Sequence, residues 1–139
     1  MFVSRATRHD MVELTALLDE HDWGGVRLEE GVAFIARDGG LVGCVRLVEV
    51  APQTVVVDDM LVHADRRREG IGSSLMRAAM NSRGGTMYLC CHDDVISFYE
   101  RFGFSTLGQE DLPDPVVAYF ERGGEIPAPA DVHYFMRAR

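Results

Sequence analysis

The sequence predicts an α/β protein, a single domain over residues 1–139 built on a mixed, mostly antiparallel sheet flanked by helices. Three observations point there. The 139 residues are close to the ~150 of one domain and leave no room for a second. Apolar, β-branched runs of strand length alternate with segments whose apolar residues recur at helical spacing. Two of the strand runs are separated by Asp38-Gly39-Gly40, a hairpin signal because the turn needs residues that accept positive φ.

Taken in order, Phe2 to Ala6 alternates as a short strand, and Asp10 to His21 carries Met11, Leu14, Leu17 and Leu18 on one helical face. His21 to Glu30, with Trp23, Gly24-Gly25 and two acids, reads as irregular or weakly helical. Val32 to Arg37 and Leu41 to Val50 are the hairpin strands; Ala51-Pro52-Gln53 turns the chain into a third apolar strand, Thr54 to Val62. An Arg-rich, Gly-containing loop from His63 to Gly72 leads to a helix from Ile71 to Arg83, with Leu75, Met76, Ala79 and Met80 on one side and Gly84-Gly85 as its stop. Thr86 to Cys91 is a short strand. Asp93 or Asp94 caps a helix that runs through Val95, Phe98, Tyr99 and Phe102 to Gly103. Asp114-Pro115 reads as an N-cap followed by proline at the first helical position, opening a helix through Phe120 that stops at Gly123-Gly124. Ile126 to Ala130 is a loop, and Val132 to Arg137 is a closing strand.

Composition narrows the function. With 47% hydrophobic and 26% charged residues the chain is an ordinary globular protein, long enough to bury roughly two thirds of its unfolded surface. No apolar run approaches a membrane span, and Arg5, Arg8 and Asp10 stand where a secretory signal needs an apolar stretch, so the expectation is a cytoplasmic protein without a membrane partner. Three cysteines, Cys44, Cys90 and Cys91, suit reduced packing residues better than a disulfide framework. A net charge of -8 argues against nucleic acid and favours a cationic partner. All 14 basic residues are arginine, which removes Schiff-base, pyridoxal-phosphate, protein-kinase and P-loop chemistry, each of which needs a lysine.

Two stretches carry candidate chemistry. In Arg66-Arg67-Arg68-Glu69-Gly70-Ile71-Gly72-Ser73-Ser74, between strand and helix, consecutive amides and the helix's positive end can converge on an anion; the alternative is a solvated arginine run before an ordinary turn. Neither the third glycine of a dinucleotide fingerprint nor the Gly-Lys of a P-loop is present. Asp58 and Asp59 interrupt an apolar strand, where a carboxylate is costly unless solvated or paired, and a partly desolvated one has a raised pKa suited to taking a proton. Alternation puts Asp58 with Val56, Met60 and Val62, and Asp59 on the other face with Val57 and Leu61. The alternative is a pair of acids that caps or solvates a strand end. His63, His92 with Asp93-Asp94, and His21-Asp22 lack a second ligand at metal spacing, so no metal is assigned.

Arg67-x-x-Gly70-x-Gly72, preceded by Asp58-Asp59-Met60-Leu61-Val62, resembles the acetyl-coenzyme A loop of the GNAT N-acetyltransferases, and Phe98-Tyr99-Glu100-Arg101-Phe102-Gly103-Phe104 resembles that family's second motif, a helix ending in tyrosine-x-x-x-Gly-Phe. Ala64 replaces a usual proline, Arg66 a usual aromatic or apolar residue, and Cys90-Cys91-His92 stands where an asparagine often follows the fifth strand. The resemblance implies a sheet splayed at its central strands and acetyl-coenzyme A as co-substrate. Its pyrophosphate would lie on the amides of Arg68, Glu69, Gly70, Ile71, Gly72 and Ser73, with Arg67 and Ser74 flanking them, and its pantetheine arm along the backbone of Met60, Leu61 and Val62. The arginines at 66, 67 and 68 would add charge for the phosphates. It further implies direct acetyl transfer to a primary amine in a ternary complex, with Tyr99 as general acid and Asp58, ahead of Asp59, as general base. Read from its helix alone, Tyr99 is a core aromatic. The acceptor is a small-molecule or peptide amine, with Trp23, Glu29 and Glu30 bordering its pocket, and a homodimer stays open. The rival is a non-catalytic acyl-coenzyme A sensor with the same fold.

Overall fold

Hairpin chemistry organises the first half of the chain. In the computed structural model, which describes residues 1–23, 28–127 and 133–139, β1 (Phe2–Arg5) pairs antiparallel with β2 (Val32–Arg37), and β2 pairs antiparallel with β3 (Leu41–Ala51) across the turn at Asp38-Gly39-Gly40. Parts of the segments expected at His21 to Glu30, Ile126 to Ala130 and Val132 to Arg137 lie outside the described residues. Between β1 and β2, Thr7 and Asp10 form a capping box around a 3-10 turn that leads into α1 (Met11–Glu20). Leu14, Leu17 and Leu18 of α1 are buried with Ala33, Ile35, Leu41, Cys44 and Leu61. Arg37 braces this layer by donating to Asp10 at 2.7 Å and Glu13 at 2.8 Å.

Pro52-Gln53 turns β3 into β4 (Thr54–Val62), and the loop after β4 enters α2 (Ile71–Asn81), which buries Ile71, Leu75, Met76 and Ala79. The helix stops at Asn81, short of the expected Arg83, because the Ser82 hydroxyl and amide both donate to the Ala79 carbonyl. Gly85 serves another purpose: at φ +102° a Cβ there would sit 2.9 Å from the Gln53 carbonyl oxygen.

β5 (Thr86–Cys91) pairs in parallel with β4 over Thr54–Val56 and Thr86–Tyr88, and antiparallel with β7 (Tyr134–Ala138). Neither Asp93 nor Asp94 acts as a cap: both lie inside a 3-10 turn, Asp93–Val95, that feeds the five-residue α3 (Ile96–Glu100). β6 (Ser105–Leu107), a strand too short to announce itself, pairs with β7. In α4 (Asp114–Gly123) the N-cap is Pro113 and Asp114 is the first helical residue, one position earlier than expected, and Gly124 closes the helix in the left-handed region. Phe120 and Phe135 rings pack 5.4 Å apart beneath it.

The seven strands run in the order β1-β2-β3-β4-β5-β7-β6, a mixed sheet whose one described parallel ladder is β4 with β5. The chain packs as two compact units: Met1–Val48 with Asp58–Gly84, and Glu49–Val57 with Gly85–Arg139.

Candidate active site

In the first unit the acidic pair of β4 lies at a kink. Asp59 has φ +54°, a left-handed conformation that a non-glycine residue seldom takes, and it breaks the strict alternation that would send the two carboxylates to opposite faces. Both instead reach one guanidinium: Arg46 Nε donates to Asp59 Oδ2 at 2.7 Å, and Arg46 Nη2 lies 3.7 Å from Asp58 Oδ2. Asp58 Oδ1 accepts the Asp59 amide at 2.8 Å, and the Cys44 thiol donates to the Asp59 carbonyl at 3.4 Å. The Asp59 side chain is 11% exposed and that of Asp58 29%. Burial, and then the charge of Asp58, push the Asp59 carboxyl above its ordinary value, while Arg46 opposes the rise. Burial and Asp59 push the Cys44 thiol up to about 12, which leaves it an inert packing group. Arg46 is the residue that sequence reading missed; one arginine inside a mostly apolar strand was its only signal.

The loop after β4 begins with a 3-10 turn, Ala64–Arg66, capped by His63, whose Nδ1 accepts the Asp65 amide. Arg67 is extended, Arg68 takes φ +67° and Gly70 φ +80°, so the backbone reverses hand twice before α2 starts. The Ser74 amide donates to the Gly70 carbonyl as the first bond of α2, which leaves the amides of Ile71, Gly72 and Ser73 as first-turn donors with no capping side chain from Gly70. A Cβ built on Gly70 meets nothing within 4 Å. The guanidinium of Arg66, one of the three arginines expected to add charge, is held by both carboxylate oxygens of Glu69 and by Asp38 of the β2–β3 turn. Arg67 Nε donates to the Val62 carbonyl at 3.2 Å, which uses one of that oxygen's two lone pairs. Met60 and Val62 are half-buried and Leu61 is buried; Arg67, Arg68, Glu69 and Gly70 are exposed, and Ser73 and Ser74 half-buried.

In the second unit Tyr99 lies in α3, 8% exposed, with its ring edge-on to Phe98 at 5.0 Å and to Phe104 at 5.9 Å. The Phe104 amide donates back to the Tyr99 carbonyl across Gly103, so the Gly-Phe pair fixes the end of the helix that carries the tyrosine. The Cys91 thiol is pushed up to about 11 by burial and by Asp94, and it contacts Met136 Sδ at 3.8 Å. Among the described residues no group of three His, Cys, Asp or Glu side chains could hold a metal ion, and no helix is long and apolar enough to cross a membrane.

Residues 29–106, more than half of the chain, match the sequence model described as an acetyltransferase (GNAT) domain, and the chain belongs to that family. It is an enzyme of the N-acetyltransferase class. No curated protein matches the chain. Among solved structures, the N-acetylglutamate synthase of Neisseria gonorrhoeae, solved with coenzyme A and N-acetyl-glutamate, is similar at 20% identity and a TM-score of 0.76; the match covers 100% of this chain and 35% of that one, so this chain spans about a third of that protein's length. An acyl-CoA N-acyltransferase from Pseudomonas aeruginosa is 18% identical with a TM-score of 0.69, covering 99% of both chains. An aminoglycoside 6'-N-acetyltransferase in complex with coenzyme A is 20% identical with a TM-score of 0.70, covering 99% of this chain and 96% of that one.

Proposed function

We propose that residues 1–139 form one acetyl-coenzyme A-dependent N-acetyltransferase domain that moves the acetyl group directly to a primary amine in a ternary complex. The observation that carries this reading is the loop from Arg67 to Gly70. Two left-handed residues and an open first turn of α2 bring amides together beside a glycine with empty space at its Cβ. Backbone amides and a helix's positive end attract a pyrophosphate without any lysine. Arg67 and Arg68 flank the same turn and are exposed to add charge. The pantetheine arm would use the backbone of Met60 to Val62, as another strand would. Solved structures in complex with coenzyme A share the fold.

In the chemistry we assign, the acceptor's ammonium gives a proton to Asp58, directly or through a water, and the freed amine attacks the thioester carbonyl. The C–N bond forms, the C–S bond breaks, and the departing thiolate takes a proton from the Tyr99 hydroxyl. Solvent receives the second nitrogen proton and, as product leaves, the one held by Asp58, and it returns one to Tyr99, so that one net proton is released per turnover. Asp58 ranks above Asp59 because it is the more exposed of the two, while Asp59 makes the shorter ion pair with Arg46. A charge of -8 and the acids at the kink favour a cationic small molecule or peptide as acceptor. The buried thiols of Cys44 and Cys91 support a reducing, cytoplasmic setting.

Calorimetric titration tests the loop. Gly70→Val should weaken acetyl-coenzyme A binding at least tenfold, since it places a branched side chain at φ +80° where the pyrophosphate approaches. Unchanged affinity would put the phosphates elsewhere.

A further inference from the structure

Among the described residues Arg46 is the one buried charged side chain, 5% exposed in the middle of β3 and opposite Ala33 of β2. Taking a guanidinium out of water is costly unless its charge and donors are met. Here they are met from stretches far apart in sequence: Asp59 at 2.7 Å on Nε, Asp58 at 3.7 Å from Nη2, and the Glu30 carbonyl accepting from Nη1 at 3.0 Å. An apolar side chain would fill the same space at lower cost, so packing alone is a poor reason for an arginine at this place. Its position relative to the two acids supplies a better one. Two carboxylates on adjacent residues repel, and without a counter-charge in a partly buried site they come to share a proton. Arg46 between them supplies that counter-charge: with both acids ionised the cluster carries one net negative charge, the complement of an ammonium.

We propose that Arg46 is a positioning residue for acyl transfer: it holds Asp58 and Asp59 ionised at the β4 kink, so that the pair presents one net negative charge to the acceptor's amine. This rests on the function proposed above. The titratable groups facing the acids are few. Among the described residues, on β4 they are each other; on β3 they are Arg46 and the Cys44 thiol, which burial keeps protonated; the stretch before β2 brings the Glu30 carbonyl to the cluster. Burial and Asp58 push Asp59 upward and Arg46 opposes them, with the net direction still upward. The left-handed backbone at Asp59 is held by the same contacts, through its carboxylate, its amide and its carbonyl.

The test is the pH profile of kcat/KM for amine-dependent thiol release, with coenzyme affinity measured separately by calorimetry. In Arg46→Met the acid limb should move up by about one pH unit or more and turnover at neutral pH should fall roughly 10–100-fold, with coenzyme affinity within about twofold of wild type. Arg46→Lys keeps the charge and should keep the limb within about half a unit of wild type, although one ammonium cannot reach all three partners. Asp59→Asn removes the like charge beside Asp58 and should move the limb down. A merely structural arginine would lower activity in Met and Lys variants alike with the limb unmoved, and that result overturns the proposal. Should the Met variant fail to fold, an unmoved or raised limb in Asp59→Asn overturns it equally. Intact coenzyme binding and acetyl transfer in wild type beside an unmoved limb would leave the enzyme reading standing and remove only Arg46. Absence of coenzyme binding in wild type would remove both.

Discussion

At the scale of single residues, the acidic pair and the tyrosine were visible in the sequence, and what holds them was not. Asp58 and Asp59 stand out because carboxylates are rare inside apolar strands, and Tyr99 because it precedes Gly103-Phe104 at a fixed distance. Arg46 stayed hidden because its partners lie 13 and 16 residues away in the chain, and a lone arginine in a strand looks the same whether it faces water or two acids. The kink at Asp59 was equally illegible: period-two alternation assumes an unbroken strand, and a left-handed residue is invisible to it. Tyr99 gives the residue-scale prediction. Tyr99→Phe keeps the ring against Phe98 and Phe104 and deletes only the hydroxyl. Turnover should fall by roughly 10²–10⁴-fold, toward the lower end because a thiolate leaves partly unaided, while coenzyme affinity and melting temperature hold. Steady-state kinetics and calorimetry on the same preparation check it; unchanged turnover with chemistry rate-limiting would return Tyr99 to the core.

At the scale of elements, the long and strongly patterned segments were read correctly, and the ends and the shortest pieces were not. α1, α2 and the β2–β3 hairpin follow from periodicity and turn residues. The three residues of β6 are too few to show a period, and α2 ends early on a Ser82 bond that competes with the helix. The element-scale prediction concerns the joint between α1 and β2. Hydrogen bonds from the Thr7 amide and from Arg37 hold the Asp10 carboxyl below its ordinary 3.8, and Arg37 with the Leu41 amide holds Glu13 below 4.5. Lowered folded-state values mean that this stabilisation is fully present above the ordinary carboxylate range and disappears as pH falls through the folded values. Melting temperature should drop as pH is lowered through and below the ordinary carboxylate range, and Arg37→Met should differ most from wild type near neutrality, with the two curves converging in acid below that range. Asp59 works in the opposite sense: its raised folded value makes its ionisation weaken the fold as pH climbs from the ordinary 3.8 through that value. A gap between wild type and Arg37→Met that widens in acid would contradict the brace.

At the scale of the whole molecule, the family was legible because its two motifs are local in sequence and appear in the right order on the right elements, a loop before α2 and a helix before Gly103-Phe104. The acceptor was not legible, since the segment expected to border it includes residues 24–27, outside the described structure, and its composition is compatible with many amines. Coenzyme binding should be a property of the folded chain. At ~100 times its dissociation constant acetyl-coenzyme A should add about 2.7 kcal/mol to stability, seen as a rise of roughly 5–10 °C in melting temperature. A panel of primary amines incubated with the wild-type chain and acetyl-coenzyme A tests acetyl transfer most directly, with free coenzyme thiol and acetylated amine quantified together. Both should appear in equal amounts, only in the presence of an accepting amine, and at a rate proportional to enzyme. Coenzyme that binds and raises the melting temperature, yet releases no thiol with any amine of the panel, would contradict catalysis and leave an acyl-coenzyme A sensor in its place.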